Sequence, residues 1–305
     1  FSLGGVPMNI GKTMTEQVDE EGDEIEIASE KFYESKVFHG LIQTLKLDPC
    51  KKYKTTEEVA TLAYKKIVIC VDQDLDGRGN ICSLVLQMFD LLWPSLLSEH
   101  AYVYHWNSPI LRVLTTKGKL VKDFKYESEY KKWAEREDIP KNLDKPVYIK
   151  GLAGHDDKYI KAMFQDFEGD LIKMTANKKT RKQFDVYFGK NSKARKSVLS
   201  TPLDHFTEED IMEMENTKEL LCQRHLSVDT KEFMCYAMKR TIPAMDGLTP
   251  VRRKALMMMI KHWVVKAMKI FQLTGRVAYE FMYHHGDASM NGAITRMAQA
   301  FPGSN

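Results

Sequence analysis

The stretch Ile67-Val68-Ile69-Cys70-Val71-Asp72-Gln73-Asp74-Leu75-Asp76-Gly77 changes character at its midpoint. Its first half is a continuous apolar run rich in β-branched residues. Such a run suits a strand covered on both faces, as in a parallel sheet. Its second half sets three aspartates on alternate positions. In extended chain, residues two apart fall on one side. Open α/β sheets place their ligands at the carboxyl ends of their strands, where these acids stand. Three anions within five residues repel one another, and a divalent cation relieves that repulsion. Hard carboxylate oxygens suit Mg²⁺, which keeps some water and also binds phosphate. The plainer alternative is an acidic turn that is merely solvated. Gly77 allows the chain to turn away after the carboxylates.

On either side of this stretch, helical and extended patterns alternate. Residues 55–64 read as a helix capped by Thr55 or Thr56, with Glu57 and Glu58 suited to its first turn. Residues 81–92 return to helical spacing through Leu84, Val85, Met88, Leu91 and Leu92, and Trp93-Pro94 closes them. Residues 101–106 and 110–114 read as strands, and 126–135 and 158–167 as helices. Helices dominate from about Thr207. Residues 252–268 form an expected helix after the breaker Asp246-Gly247-Leu248-Thr249-Pro250. The expected architecture is an α/β domain with a Rossmann-like parallel sheet over residues 1–205, followed by a mainly α domain over 206–305.

Composition narrows the class. Of 305 residues 43% are hydrophobic, enough to bury a core, and no apolar run approaches the ~20 residues of a membrane span. The sequence opens on Phe1 and reads as an excerpt of a longer protein. Cys50, Cys70, Cys82, Cys222 and Cys235 form no Cys-x-x-Cys pair, so neither zinc nor a disulfide framework is expected, and a reducing compartment fits. The net charge of +3 conceals segregation. Residues 16–30 hold eight acids and no base, and are expected to form a flexible loop or hairpin tip. Residues 173–196 and 239–276 each hold nine bases and one acid. The first block is as consistent with a solvated face as with a ligand surface. The second is interleaved with Met257, Met258, Ile260 and Trp263, so it is expected to pack a core while showing a basic face to a polyanion such as nucleic acid.

Several metal sites share an Asp-x-Asp pattern. A calcium loop of the EF-hand type needs a Glu where Ser83 stands and a helix where the strand stands. A haloacid-dehalogenase-type phosphatase would use Asp74-Leu75-Asp76-Gly77, but Arg78 replaces its threonine. The toprim fold of topoisomerases and primases also ends a strand in paired aspartates. Here the resemblance widens. Asp72-Gln73-Asp74-Leu75-Asp76-Gly77, Trp93-Pro94-Ser95-Leu96-Leu97, Ser108-Pro109-Ile110 and Tyr148-Ile149-Lys150-Gly151-Leu152 resemble the eukaryotic-type type II DNA topoisomerases. So do Thr241-Ile242-Pro243, Asp246-Gly247-Leu248, Arg252-Arg253-Lys254, Tyr283-His284-His285-Gly286-Asp287 and Pro302-Gly303-Ser304-Asn305. They occur in the family's order across nearly the whole chain. Ser2-Leu3-Gly4-Gly5-Val6, residues 150–156 and residues 225–231 resemble the enzymes of large cytoplasmic DNA viruses more than cellular ones.

The resemblance implies a toprim domain, lacking its first strand, followed by a winged-helix domain of the DNA gate. It implies two Mg²⁺ ions at Asp72 and Asp74, with Asp76 an additional ligand and a companion Glu outside this sequence. It implies double-stranded DNA as partner, held by Lys150, Arg240, Arg252, Arg253, Lys254, Arg276, His284 and His285. His284, His285 and Arg253 are the candidates for a catalytic role. The parent would be a homodimer that uses ATP bound elsewhere to cut, pass and reseal DNA, working in the host cytoplasm if viral or the nucleus if cellular. Arg195 and Lys196 are weaker candidates for DNA contact. The family's Glu-Gly-Asp-Ser-Ala motif has no true match: Glu21-Gly22-Asp23 and Glu168-Gly169-Asp170 are in the wrong place. Nor does any Arg-Tyr dipeptide match the nucleophile, and Tyr283 matches the histidine motif instead. The chain alone is therefore expected to bind DNA without cleaving it. A phosphatase and a non-catalytic DNA-binding module are the alternatives.

Overall fold

The computed structural model describes residues 9–12, 14–18, 24–28, 30–149, 157–165, 167–283 and 285–300. His284, Lys150, and the motifs at 2–6, 21–23, 150–156 and 302–305 lie outside the described residues. The chain forms two compact units, residues 1–234 and 235–305.

After a 3-10 turn at Ile10–Lys12, the first unit has an antiparallel pair, β1 (Met14–Val18) against β2 (Glu24–Ala28), whose strands carry Glu16, Glu24 and Glu26 of the acidic run. Helices α1 (Glu30–Glu34), α2 (Lys36–Leu45) and α3 (Thr56–Ala60) follow. The start of α3 was legible. Thr55 accepts from the Glu58 amide while Glu58 reaches back to the Thr55 amide, a reciprocal cap. The helix stops at Ala60 rather than at Tyr64.

Strand β3 covers Ile67–Ile69, shorter than the apolar run, and lies at one edge of the main sheet among the described residues. A π-helical turn, Leu75–Cys82, runs directly into α4 (Ser83–Leu92), and α5 (Pro94–Ser98) leads to β4 (Val103–Trp106). Every residue of α4 is buried, as expected of a helix apolar on nearly all sides. Two polar side chains in its middle make bonds outside the helix. Asp90 takes the Arg181 guanidinium at 2.7 Å, and Gln87 donates to Asn9 at 3.0 Å. Around α4 the core gathers Trp93, Leu96, Tyr102, Val103, Ile172, Met174 and Phe184.

A second, three-stranded sheet has the order β6-β5-β7, from β5 (Leu111–Leu114), β6 (Leu120–Phe124) and β7 (Val147–Tyr148), with α6 (Glu127–Ala134) inserted. Then come α7 (Asp157–Gln165), β8 (Leu171–Thr175), α8 (Thr180–Phe188), α9 (Ser192–Leu199), α10 (Glu208–Thr217), β9 (Glu219–Leu221) and α11 (Cys222–His225). A second π-helical turn, Leu226–Thr230, precedes α12 (Lys231–Thr241).

The main sheet has the order β3-β4-β8-β9 and is mixed, not wholly parallel as expected. β3 runs parallel to β4 and β8 parallel to β9, but β4 and β8 are antiparallel. A single helical crossover enforces parallel neighbours. Between β4 and β8 the chain instead builds a whole extra sheet and α7, which lets β8 enter from the opposite end.

The second unit holds α13 (Pro250–Lys261), α14 (Ile270–Glu280) and α15 (Asp287–Ala298), and no strand among its described residues. Ala255, Met258, Leu273, Val277, Met290 and Ile294 make its core. Two expectations fail here. The helix from 252 ends at Lys261, and Trp263 adopts a left-handed φ of 46°. Of Met257, Met258, Ile260 and Trp263, only Met258 is buried. Val251, Ala255 and Met258 share one helical stripe, and 257 and 260 lie off it. All five cysteines are free, and no helix among the described residues is long and apolar enough to cross a membrane.

Candidate functional site

Past β3 burial alternates strictly up to a bend at residues 73–74. Val71 and Gln73 are buried, while Cys70, Asp72 and Asp74 face out. Gln73 ties this segment to the end of β4 by donating to the Trp106 carbonyl at 3.0 Å. Asp74 then caps the π-helical turn. Its Oδ1 accepts from the Gly77 amide at 2.7 Å, and its carbonyl accepts from the Arg78 amide at 2.9 Å. Gly77 is demanded by close approach, not by a left-handed φ. A β-carbon there would stand 2.0 Å from the Asp72 carbonyl oxygen.

Asp72 and Asp74 are thus both exposed just past the carboxyl end of β3, and Asp76 sits half-buried in the first turn of the π-helical segment. Two outward carboxylates offer the hard oxygens that Mg²⁺ takes. They fit as part of a site. Among the described residues no group of three or more His, Cys, Asp or Glu is gathered closely enough to hold a metal by itself.

Behind the aspartates lies a buried polar chain that sequence reasoning missed. Arg78, Ser83, His225, Asp229 and Thr230 are all buried. Arg78 Nη2 donates to Asp229 Oδ1 at 2.7 Å, and the guanidinium lies 4.8 Å from the centre of the Tyr126 ring. Asp229 Oδ2 and His225 Nδ1 are 2.8 Å apart, His225 Nε2 and Ser83 Oγ 2.9 Å, and Ser83 Oγ and Thr230 Oγ1 2.7 Å. Burial alone would raise the Asp229 carboxyl, but the Arg78 charge and the His225 hydrogen bond outweigh it and hold it at about 2. The sequence Ser–His–Asp has the bonding order of a nucleophile triad. Ser83 is shut away from solvent, however, and its hydroxyl is shared with Thr230. The available signals were weak: Gly77-Arg78-Gly79 just after the acids, and His225 and Asp229 one helical turn apart.

His105, on β4, is buried beside this chain, and its Nε2 has no hydrogen-bond partner. Burial, with the nearby charges of Arg78 and His225, pushes its imidazole down to about 3. The folded state therefore keeps it neutral where an unfolded chain, with a histidine pKa near 6.5, takes up a proton. Stability is complete above about 6.5 and falls by about 1.4 kcal/mol per pH unit as pH drops toward 3. Denaturant midpoints measured from pH 7 to pH 5 are expected to fall, and His105→Gln to flatten the slope by one proton.

In the second unit, Arg240 stands in the last turn of α12 with its guanidinium 5.0 Å from the Tyr236 ring centre. Tyr236 Oη and His285 Nε2 are 3.0 Å apart. Arg253 forks onto Asp246, Nε to Oδ2 at 2.9 Å and Nη2 to Oδ1 at 2.8 Å, and closes the loop before α13. That bond holds the Asp246 carboxyl down at about 2. Arg252 and Lys254 are partly exposed on α13, and Arg276 is exposed on α14.

Other residues singled out in the sequence make local bonds. Arg195 donates to the Tyr187 and Gly189 carbonyls and closes the end of α8. Glu168 pairs with Lys66, and Asp170 with Lys125. Tyr283 is buried with its hydroxyl unpaired, out of reach of a polymer.

A family model described as DNA gyrase/topoisomerase IV matches residues 240–305. The DNA topoisomerase 2 of African swine fever virus (isolate Tick/Malawi/Lil 20-1/1983) is 40% identical over the whole chain, and the mitochondrial DNA topoisomerase 2 of Dictyostelium discoideum is 29% identical over 92% of it. The chain spans 26% of the viral relative and 21% of the other. Among solved structures, the Plasmodium falciparum topoisomerase II DNA-binding, cleavage and re-ligation domain superposes with a TM-score of 0.71 at 28% identity, covering 90% of this chain and 36% of that one.

Proposed function

The chain belongs to the eukaryotic-type type II DNA topoisomerases, and on that premise we propose that it forms part of the core that binds, cleaves and rejoins duplex DNA in a longer, ATP-dependent, homodimeric enzyme. The supporting observation is local. Asp72 and Asp74 are both exposed just past the end of β3, in a chain that matches its viral relative along its whole length.

On this reading the α/β unit is the toprim part and the helical unit the winged-helix part. Bound Mg²⁺ would stabilise charge on the scissile phosphate. The chain's own residues do the positioning. Asp72 and Asp74 supply oxygens, and the Gly77 amide fixes the orientation of Asp74. Arg240, Arg252, Lys254 and Arg276 supply positive charge for phosphates, the dominant contact where sequence preference is weak. Arg253 acts through Asp246 by shaping the loop before α13, and His285 is set by Tyr236. The nucleophilic tyrosine and companion glutamate implied by the resemblance match no residue here. The viral relative is the more similar of the two named, which favours a viral setting.

DNA binding gives a direct test. Affinity of the 305-residue chain for duplex DNA is expected to fall steeply with salt, because neutralised phosphates release counterions. Arg252→Ala, Lys254→Ala and Arg276→Ala are each expected to reduce the log–log slope by about 1. Affinity that ignores salt would overturn the basic face as a duplex surface, and a covalent DNA adduct formed by this chain alone would overturn the assignment of the nucleophile.

A further inference from the structure

The two π-helical turns, Leu75–Cys82 and Leu226–Thr230, pack against each other. A π-turn is a rare insertion in a helix and persists where its surroundings favour it. The contact between these two is steric and electrostatic at once. A β-carbon on Gly79 would lie 2.5 Å from the Asp229 carbonyl oxygen and 2.5 Å from Phe233 Cβ, so the backbones approach with nothing between them. One residue away, the Arg78–Asp229 ion pair joins the same two segments, and His225, Ser83 and Thr230 extend it into a continuous chain.

Arg78 is also bonded into the aspartate turn, since its amide donates to the Asp74 carbonyl. Whatever displaces its side chain pulls on the cap that orients Asp74. The three carboxylates repel one another, which favours opening of this turn. A buried guanidinium, anchored from behind, opposes that opening. We propose that Asp229 and His225, acting through Arg78, are positioning residues that keep the aspartate turn in the shape that presents Asp72 and Asp74. This rests on the assignment of those two aspartates as cation ligands under Proposed function.

Removing the Asp229 charge leaves a buried guanidinium unpaired, a larger penalty than the lost bond itself. Its escape toward water takes the turn with it. In Asp229→Asn, amide hydrogen exchange of residues 77–80 is expected to accelerate ~100-fold relative to the rest of the unit. Ser83→Ala, milder and at the far end of the chain, is expected to act in the same direction by ~3-fold, and it decides the question should Asp229→Asn fail to fold. Mn²⁺, the probe ion, is expected to bind the 305-residue chain in a manner abolished by Asp74→Asn and weakened ~10-fold by Asp229→Asn, as for other residues that orient metal ligands. Phe184→Ala, which empties a core site of the same unit, is the control. It is expected to lower stability and leave both the exchange excess and Mn²⁺ affinity unchanged.

Native exchange at 77–80 together with native Mn²⁺ affinity in Asp229→Asn would overturn the positioning role alone, as would equal effects from Phe184→Ala. A chain that binds no Mn²⁺ in any form would instead overturn the cation assignment, while exchange still judges the link between the two turns.

Discussion

In the full-length enzyme, Asp72→Asn and Asp74→Asn are each expected to reduce DNA cleavage by about 1,000-fold or more while leaving duplex affinity and fold intact. Metal-assisted stabilisation of a reacting phosphate contributes several kcal/mol, and on the proposed assignment each aspartate would be a large share of the donor set for the ion. On the same proposal duplex binding rests on the basic helices, so it is expected to be spared. Stability is spared for two reasons. Asparagine caps a helix as well as aspartate does, so the bond to the Gly77 amide survives in Asp74→Asn. Removing one of three crowded negative charges also relieves repulsion. Cleavage of supercoiled DNA, read beside a filter-binding isotherm and a melting curve, separates these effects. Full activity in both variants would leave a DNA-binding module without chemistry of its own.

Gly77→Ala is expected to be the most damaging small substitution in the first unit. The added carbon would stand 2.0 Å from the Asp72 carbonyl oxygen, and the obstruction is backbone that cannot rotate aside. The turn must open. Overpacking of this kind costs about 3 kcal/mol, or roughly 10 °C in melting temperature for a unit of this size. The same movement pulls Asp72 away from Asp74, so Mn²⁺ affinity is expected to fall along with stability. Gly275→Ala, in α14, provides the contrast. Nothing lies within 4 Å of its new carbon, and a helix gains roughly 0.5–1 kcal/mol from alanine over glycine. Melting curves that drop equally for both would remove the close approach as the reason for glycine at 77.

Where the signal is local, it could be seen in advance. The apolar run before Asp72 and the period of two that turns Asp72 and Asp74 outward depend only on neighbours along the chain. The cap of α3 is the same kind of signal, since Thr55 and Glu58 are three residues apart. The end of α13 was not visible. Basic and apolar residues continue past Lys261 with nothing to break them, and the left-handed Trp263 follows from no local preference. The direction of β8 was hidden for a different reason: strand polarity depends on the connection, and a connection that builds its own sheet follows no simple rule.

Neighbouring residues along the chain were enough to mark out the candidate site. The acids at 72, 74 and 76, their place at the end of an apolar strand and the basic segment that follows are written in order along the chain, because alternation and charge density are properties of adjacent residues. What packs behind those acids became visible only in the folded chain. Arg78 and Asp229 are 151 positions apart. Nothing in their local surroundings calls one to the other, because a buried ion pair is selected by the burial of both partners at once, and burial exists only after the sheet and its helices have closed.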